Sequence, residues 1–117
     1  MTELERACAA VPSLHQLAVV SDDGLEIWSW HRRPVTRKEA IAVAYATFIK
    51  QARSLARGVG AGELSMVTLE SERGRVVLVP TRGGLRVALL FSESWPLALV
   101  RAQVRLLLSM VERTLDP

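Results

Sequence analysis

The string Trp28-Ser29-Trp30-His31-Arg32-Arg33 is the stretch of this chain best equipped for recognition chemistry. In an extended segment the two indoles fall on one face, and cations follow directly. Such a set can stack on single-stranded bases and hold their phosphates, with Trp28, Trp30, Arg32 and Arg33 as the contacts. The same residues have a plainer use. Indoles are mostly buried, so they can cover an edge strand and rest on a helix while the basic residues stay solvated at the turn. That plainer use is the expectation, and nucleic acid is not an expected partner. An intermediate reading makes Trp28 and Trp30 anchors for another protein, since Trp and Arg are common in interfaces.

Other chemistry-bearing residues lack the company they would need. His15 and His31 have no second His or Cys at ligand spacing, so no metal site is expected. No G-x-S-x-G motif supplies a nucleophile for either histidine. Glu70 and Glu72 read as solvated turn charges, not as a glycosidase pair. Tyr45 and Phe48, at helical spacing, read as core and not as the lining of a ligand pocket. Gly58-Val59-Gly60-Ala61-Gly62 has the look of a phosphate loop, but a helix precedes it and a strand follows, the reverse of what a dinucleotide fingerprint requires. No cofactor is expected. Cys8 is the only cysteine, which rules out an internal disulfide and makes it a small core residue.

Composition sets the scale. One hundred and seventeen residues, half of them apolar, suit one compact domain over 1–117 with a real core. The net charge of +3 tolerates an acidic partner without demanding one. The charged start is too short for a signal peptide, and no apolar run reaches the roughly 18 residues of a membrane span. A cytoplasmic setting is expected.

The element that positions everything else runs from Thr36 to Arg57. Thr36 and Glu39 form a capping signal, Gly58 supplies the stop, and six alanines with no internal Gly or Pro favour helix. At about 1.5 Å per residue the helix is ~33 Å long. Ile41, Tyr45, Phe48, Ala52 and Leu55 fall on one stripe, enough to cover a sheet. Glu39, Lys50, Arg53 and Arg57 crowd into a narrow charged arc. A second uncharged arc holds Ala40, Val43, Ala44, Thr47, Gln51 and Ser54. A surface helix normally needs only one apolar stripe, so this second arc is expected to meet the same helix of another copy.

The remaining elements follow from local signals. Thr2 and Glu5 cap a short helix over 3–10, ended by Pro12. Strands are expected at 15–20, 25–30, 63–70, 75–81 and 85–91, with Asp-Gly and Gly-Gly turns between them. Ser94 opens a final helix whose stripe includes Leu97, Val100, Val104, Leu107, Leu108, Val111 and Leu115. Leu99, Leu106 and Met110 lie on its far side. The strands at 15–20 and 85–91 are apolar on both faces and should pair in the middle. The fold expected is an α+β sandwich, α-β-β-α-β-β-β-α, on a five-stranded antiparallel sheet of order 2-1-5-4-3. The long helix should cover one face and the two terminal helices the other.

Three stretches resemble a known family. Leu17-Ala-Val-Val-Ser-Asp-Asp-Gly-Leu-Glu-Ile27 is similar to the "LVVS-x-DG-L-x-I" hairpin of the roadblock/LC7 family, including its bacterial MglB-like members. Gly62-Glu-Leu-Ser-Met-Val-Thr-Leu-Glu-Ser-Glu-Arg-Gly-Arg-Val-Val-Leu-Val79 is similar to its "GEL-x-x-V-x-I-E-x-x-x-G-x-V-x-V" stretch. Leu85 to Phe91, followed by a helix with Leu99-Val100-Arg101, matches a third. Trp28, Trp30 and His31-Arg32-Arg33 depart from the pattern, which usually has small or polar residues there.

The resemblance implies a dimerising scaffold and not a catalyst. Family members pair through the long middle helix and the third strand, which adds Ser65, Val67 and Thr68 to the expected dimer interface. They bind small Ras-like GTPases, and some stimulate GTP hydrolysis. Arg33, Arg37 and Arg57, with Trp28 and Trp30, are the accessible candidates for contact with such a partner.

Overall fold

The computed structural model describes residues 1–34, 38–92 and 95–115; the side chains of residues 38–40 are not described. Thr36, Arg37, Ser94 and the side chain of Ala40 therefore lie outside the described set. The elements are α1 (Glu3–Ala9), β1 (Leu14–Val20), β2 (Glu26–His31), α2 (Lys38–Gly58), β3 (Val67–Ser71), β4 (Gly74–Pro80), β5 (Arg86–Phe91) and α3 (Leu97–Leu115). All five strands join one antiparallel sheet of order β2-β1-β5-β4-β3. Element order and strand order are those the sequence predicts.

Alternation along the strands sends two sets of side chains to opposite faces. Leu17 and Val19 of β1, Val77 and Val79 of β4, and Val87, Leu89 and Phe91 of β5 form one core with Leu4 and Cys8 of α1 and Val100, Val104, Leu107 and Val111 of α3. Ala18, Leu78 and Ala88 form the other, under Ile49 of α2. Ala18 and Leu78 each lie beside Ala88 across the strands. The two alanines keep this row low beside Leu78, and the facing residues of α2, Ala42 and Ala46, are buried.

Cys8 is fully buried, and burial pushes its thiol up to about 12. The folded chain thus holds its proton more tightly than the unfolded chain does. Stability from this group is complete below the ordinary thiol range, near 9, and is lost as pH rises from there toward about 12. At pH 8 the native protein should react with a thiol reagent only as fast as it opens, whereas urea-unfolded protein should react at once.

Local chemistry fixes the ends of the elements. Thr2 and Glu5 form the reciprocal capping box: the Glu5 N–H donates to Thr2 Oγ1 at 3.1 Å and the Thr2 N–H to Glu5 Oε1 at 3.2 Å. The two turns at one end of the sheet share a construction. In each, a hydroxyl residue, Ser21 or Thr81, accepts from the N–H of the leucine four residues on, and a left-handed glycine, Gly24 or Gly84, closes the turn.

Most element ends lie within a residue of expectation, and three larger differences stand out. The stop of α2 is Gly60, not Gly58. Gly60 is left-handed at φ +79°, its N–H donates to the Arg57 carbonyl at 3.1 Å, and the Ala61 N–H reaches the Ala56 carbonyl at 2.8 Å, a Schellman ending. β3 begins at Val67 instead of residue 63, because the register Val67↔Leu78 would place Ser65 opposite Pro80, which has no N–H to donate. The third difference is the rotation of α2, taken up below.

Candidate interaction surface

Helix α2 does not rest on the sheet through the stripe expected for it. Ile49 is completely buried, and Ala42 and Ala46 beside it are buried too, whereas Phe48 is 40% exposed and Leu55 67% exposed. Tyr45 is half-buried against the Ala18/Leu78/Ala88 core, and burial pushes its phenol up. Ile41 and Ala52 are partly covered. The helix is thus turned by about one residue, ~100°, so that its smallest side chains face the low row of the sheet. Large residues would have held the helix away from Ala18 and Ala88. The signal was present in the sequence as the spacing Ala42, Ala46, Ile49, at i, i+4, i+7.

This rotation widens the free face. Val43, Ala44, Thr47, Gln51 and Ser54, five of the predicted contact residues, are exposed, and Phe48 and Leu55 join them. Val43 is 52% exposed even though the β1–β2 turn touches it; a Cβ on Gly24 would come within 2.9 Å of the Val43 Cα. Leu25 and Ile27 of that hairpin are also exposed. By helical spacing the arc from Val43 round to Phe48 and Leu55 carries no charge. It is an apolar and small-residue face, rimmed by Lys50 and Arg57, both exposed.

The sheet also leaves a strand edge open. Strand β3 ends the sheet and pairs on one side only, with β4. Val67 packs into the core under α2, which ties that edge to the helix. Val67 and Thr68 are half-buried and Leu69 is exposed. Ser65 is exposed but precedes the strand. Unpaired N–H and C=O groups on an edge are a template for another strand.

The Trp-Arg string takes its plainer form. Trp28 and Trp30 are half-buried and pack against the core on the α1/α3 side. The Arg32 guanidinium lies over the Trp30 ring, 5.0 Å from its centroid. Arg32 also donates from Nε to the Leu14 carbonyl at 3.0 Å and from a terminal nitrogen to the Val11 carbonyl at 2.9 Å. It therefore staples the end of β2 to the segment leaving α1, and the Trp30 face that a base would stack on is taken. Arg32→Ala should lower stability by about 1–2 kcal/mol through these lost charged hydrogen bonds, read as a shifted urea midpoint.

The remaining sequence candidates are scattered. Arg33 is exposed and shares an open hollow of about 260 Å³ with His15, Gln16, Pro34, Arg73 and Leu90. Arg57 is not a free cation: its guanidinium is bidentate to Glu63, at 3.0 and 2.9 Å, and this pairing pushes Arg57 up and Glu63 down from their ordinary ranges. Arg37 lies outside the described residues. Glu70 pairs with Arg75, its cross-strand neighbour on β4, at 2.8 Å. His31 lines a crevice of only about 10 Å³ with Gln16, Glu26 and Tyr45, room for one water at most.

One buried charge escaped sequence reasoning. Arg86 is 5% exposed on the α2 side of β5, and one terminal nitrogen donates to the Gly84 carbonyl. Burial, then the nearby Arg53, pull it below its usual range, while Asp22 pulls the other way. Among the described residues no group of three His, Cys, Asp or Glu side chains is placed to hold a metal, and no helix is long and apolar enough to cross a membrane.

Comparison with known proteins bears on this geometry. The model of the Roadblock/LC7 domain matches residues 2–91. No curated protein matches in sequence. The structure is similar to that of a Roadblock/LC7 domain from Streptomyces avermitilis, with a TM-score of 0.84, 18% identity, and coverage of 100% of this chain and 98% of that one. It is similar to Myxococcus xanthus MglB, with a TM-score of 0.82, 16% identity, and coverage of 97% and 94%. It is also similar to an MglB described as having a tetrameric arrangement, with a TM-score of 0.80, 15% identity, and coverage of 94% and 82%. At these identities the structural likeness speaks for the fold.

Proposed function

Because the chain belongs to the Roadblock/LC7 domain family, we propose that it is a non-catalytic, homodimeric regulator that binds a small Ras-like GTPase in the cytoplasm. The observations that carry the dimer are the uncharged exposed face of α2 and the open edge of β3. Two copies related by a two-fold axis cover both at once: α2 packs on its twin, and β3 pairs with its twin to continue the sheet. The contact residues are Ala40, Val43, Ala44, Thr47, Gln51 and Ser54, with Phe48 and Leu55 added by the rotation of the helix, and Val67 and Thr68 from the strand. Ser65, just outside β3, extends the contact toward the chain that enters it.

The GTPase assignment rests on family resemblance, and an MglB relative with a tetrameric arrangement agrees with self-association. The reading assigns no catalytic group to this chain: Cys8 is buried in the core, and Glu63, Glu70 and Glu112 are engaged in structural contacts. The test is a titration of Ras-like GTPases from the same genome, loaded with GDP or with a non-hydrolysable GTP analogue. State-selective binding and a changed hydrolysis rate are the expected result. Failure of every such GTPase to bind in either state would contradict the assignment and leave the dimer standing.

A further inference from the structure

The sheet face that α3 covers carries a second feature, apart from the α2 face. An open groove of about 420 Å³ runs between α3 and the chain entering β3. Half-buried Met66 and Leu108 line it over a floor of buried Val79 and Val104, Ser65 stands at its β3 side, and Arg101 and Arg105 stand on its α3 rim. Both arginines are exposed. They are one turn apart on α3, about 6 Å along the axis. Among the described residues neither makes an ion pair; the two that occur are Arg57–Glu63 and Arg75–Glu70. Among the described residues no carboxylate lines the groove. Glu112, on the same side of α3 by helical spacing, accepts from the Arg82 N–H at 3.0 Å instead.

We propose that this groove docks an acidic amphipathic helix of a partner protein. Three observations select that occupant. An apolar trough with an uncompensated cationic rim calls for apolar side chains flanked by carboxylates. Cations one helical turn apart match carboxylates one helical turn apart on a helix lying along α3. The concavity excludes a flat lipid surface, which would meet the arginines without filling the trough. The inference does not rest on the dimer: Ser65 is the one lining residue that the dimer contact also uses, and the rest of the trough and both arginines lie on the α3 side of the sheet.

A display library tests it. Peptides of high helix propensity carry a fixed apolar stripe at i, i+4 and i+7 with randomised flanking positions, and are selected against the full chain. The expected result is enrichment of Asp and Glu at the flanks. The enriched peptides should bind the Arg101→Glu/Arg105→Glu double variant at least about tenfold more weakly, weaken with salt, and bind the Thr47→Glu variant as well as the parent. Both arginines are exposed, so the double variant keeps its fold. No enrichment, basic or neutral flanks, or acidic peptides indifferent to the double variant would each overturn the proposal. So would adsorption to phosphatidylserine vesicles that the double variant abolishes while no peptide binds.

Discussion

Thr47→Glu is expected to give a folded monomer. Thr47 is exposed on the protomer, so a carboxylate there costs the isolated chain little. It also sits beside the midpoint of α2, which spans Lys38–Gly58. A two-fold axis crossing the helix pair near its middle brings Thr47 close to its own counterpart. Two introduced glutamates would then be buried without cations and against each other. The cost is several kcal/mol, roughly a hundredfold to a thousandfold in the dimer constant. The parent should melt at a temperature that rises with protein concentration, and the variant at one that does not. A variant that still dimerises at parental strength places the contact elsewhere.

Two adjacent residues should give opposite results, and this is the second large effect. Among the described side chains of α2, Ile49 is the only large one that is completely buried. Ile49→Ala opens a cavity over Ala18, Leu78 and Ala88 and should cost about 2–5 kcal/mol. Phe48, one position earlier, faces outward. Measured in the Thr47→Glu background, where no dimer contributes, Phe48→Ser should move the urea midpoint by less than about 0.5 kcal/mol. In the parent background the same change should weaken the dimer. A reversal, with Phe48 carrying protomer stability and Ile49 not, would mean that α2 is rotated as the simple stripe of large residues suggests.

That pair also marks where the sequence is legible and where it is not. Element order, the pairing of β1 with β5, the strand order and the capping box of α1 can all be read from periodicity and end signals. Each depends on local chemistry or on strands apolar through both faces. The rotation of α2 does not. Its stripe of large residues and its small-residue stripe are both apolar, and the choice between them is made by the sheet, whose facing row is Ala18, Leu78 and Ala88. Height on a distant strand cannot be read from a helix alone. The start of β3 was misplaced for a related reason: the residue that ends its pairing, Pro80, belongs to the neighbouring strand. The long-range roles of Arg32 and Arg86 were equally hidden. Arg32 works through carbonyls as far back as Ala9, and Arg86 looks like one more surface arginine until the helix is laid over it.

The uncharged arc of α2, by contrast, was visible in the sequence. It required only that one helix carry more apolar circumference than one sheet can use. What the structure adds is its extent, since Phe48 and Leu55 turn toward solvent.

Sedimentation equilibrium of the parent chain at micromolar concentration tests the central claim most directly. The account predicts a species of twice the 12.9 kDa protomer mass, reduced to the protomer mass by Thr47→Glu. A parent chain that sediments as a protomer at every concentration examined, with the face from Val43 to Leu55 left open to water, would contradict it.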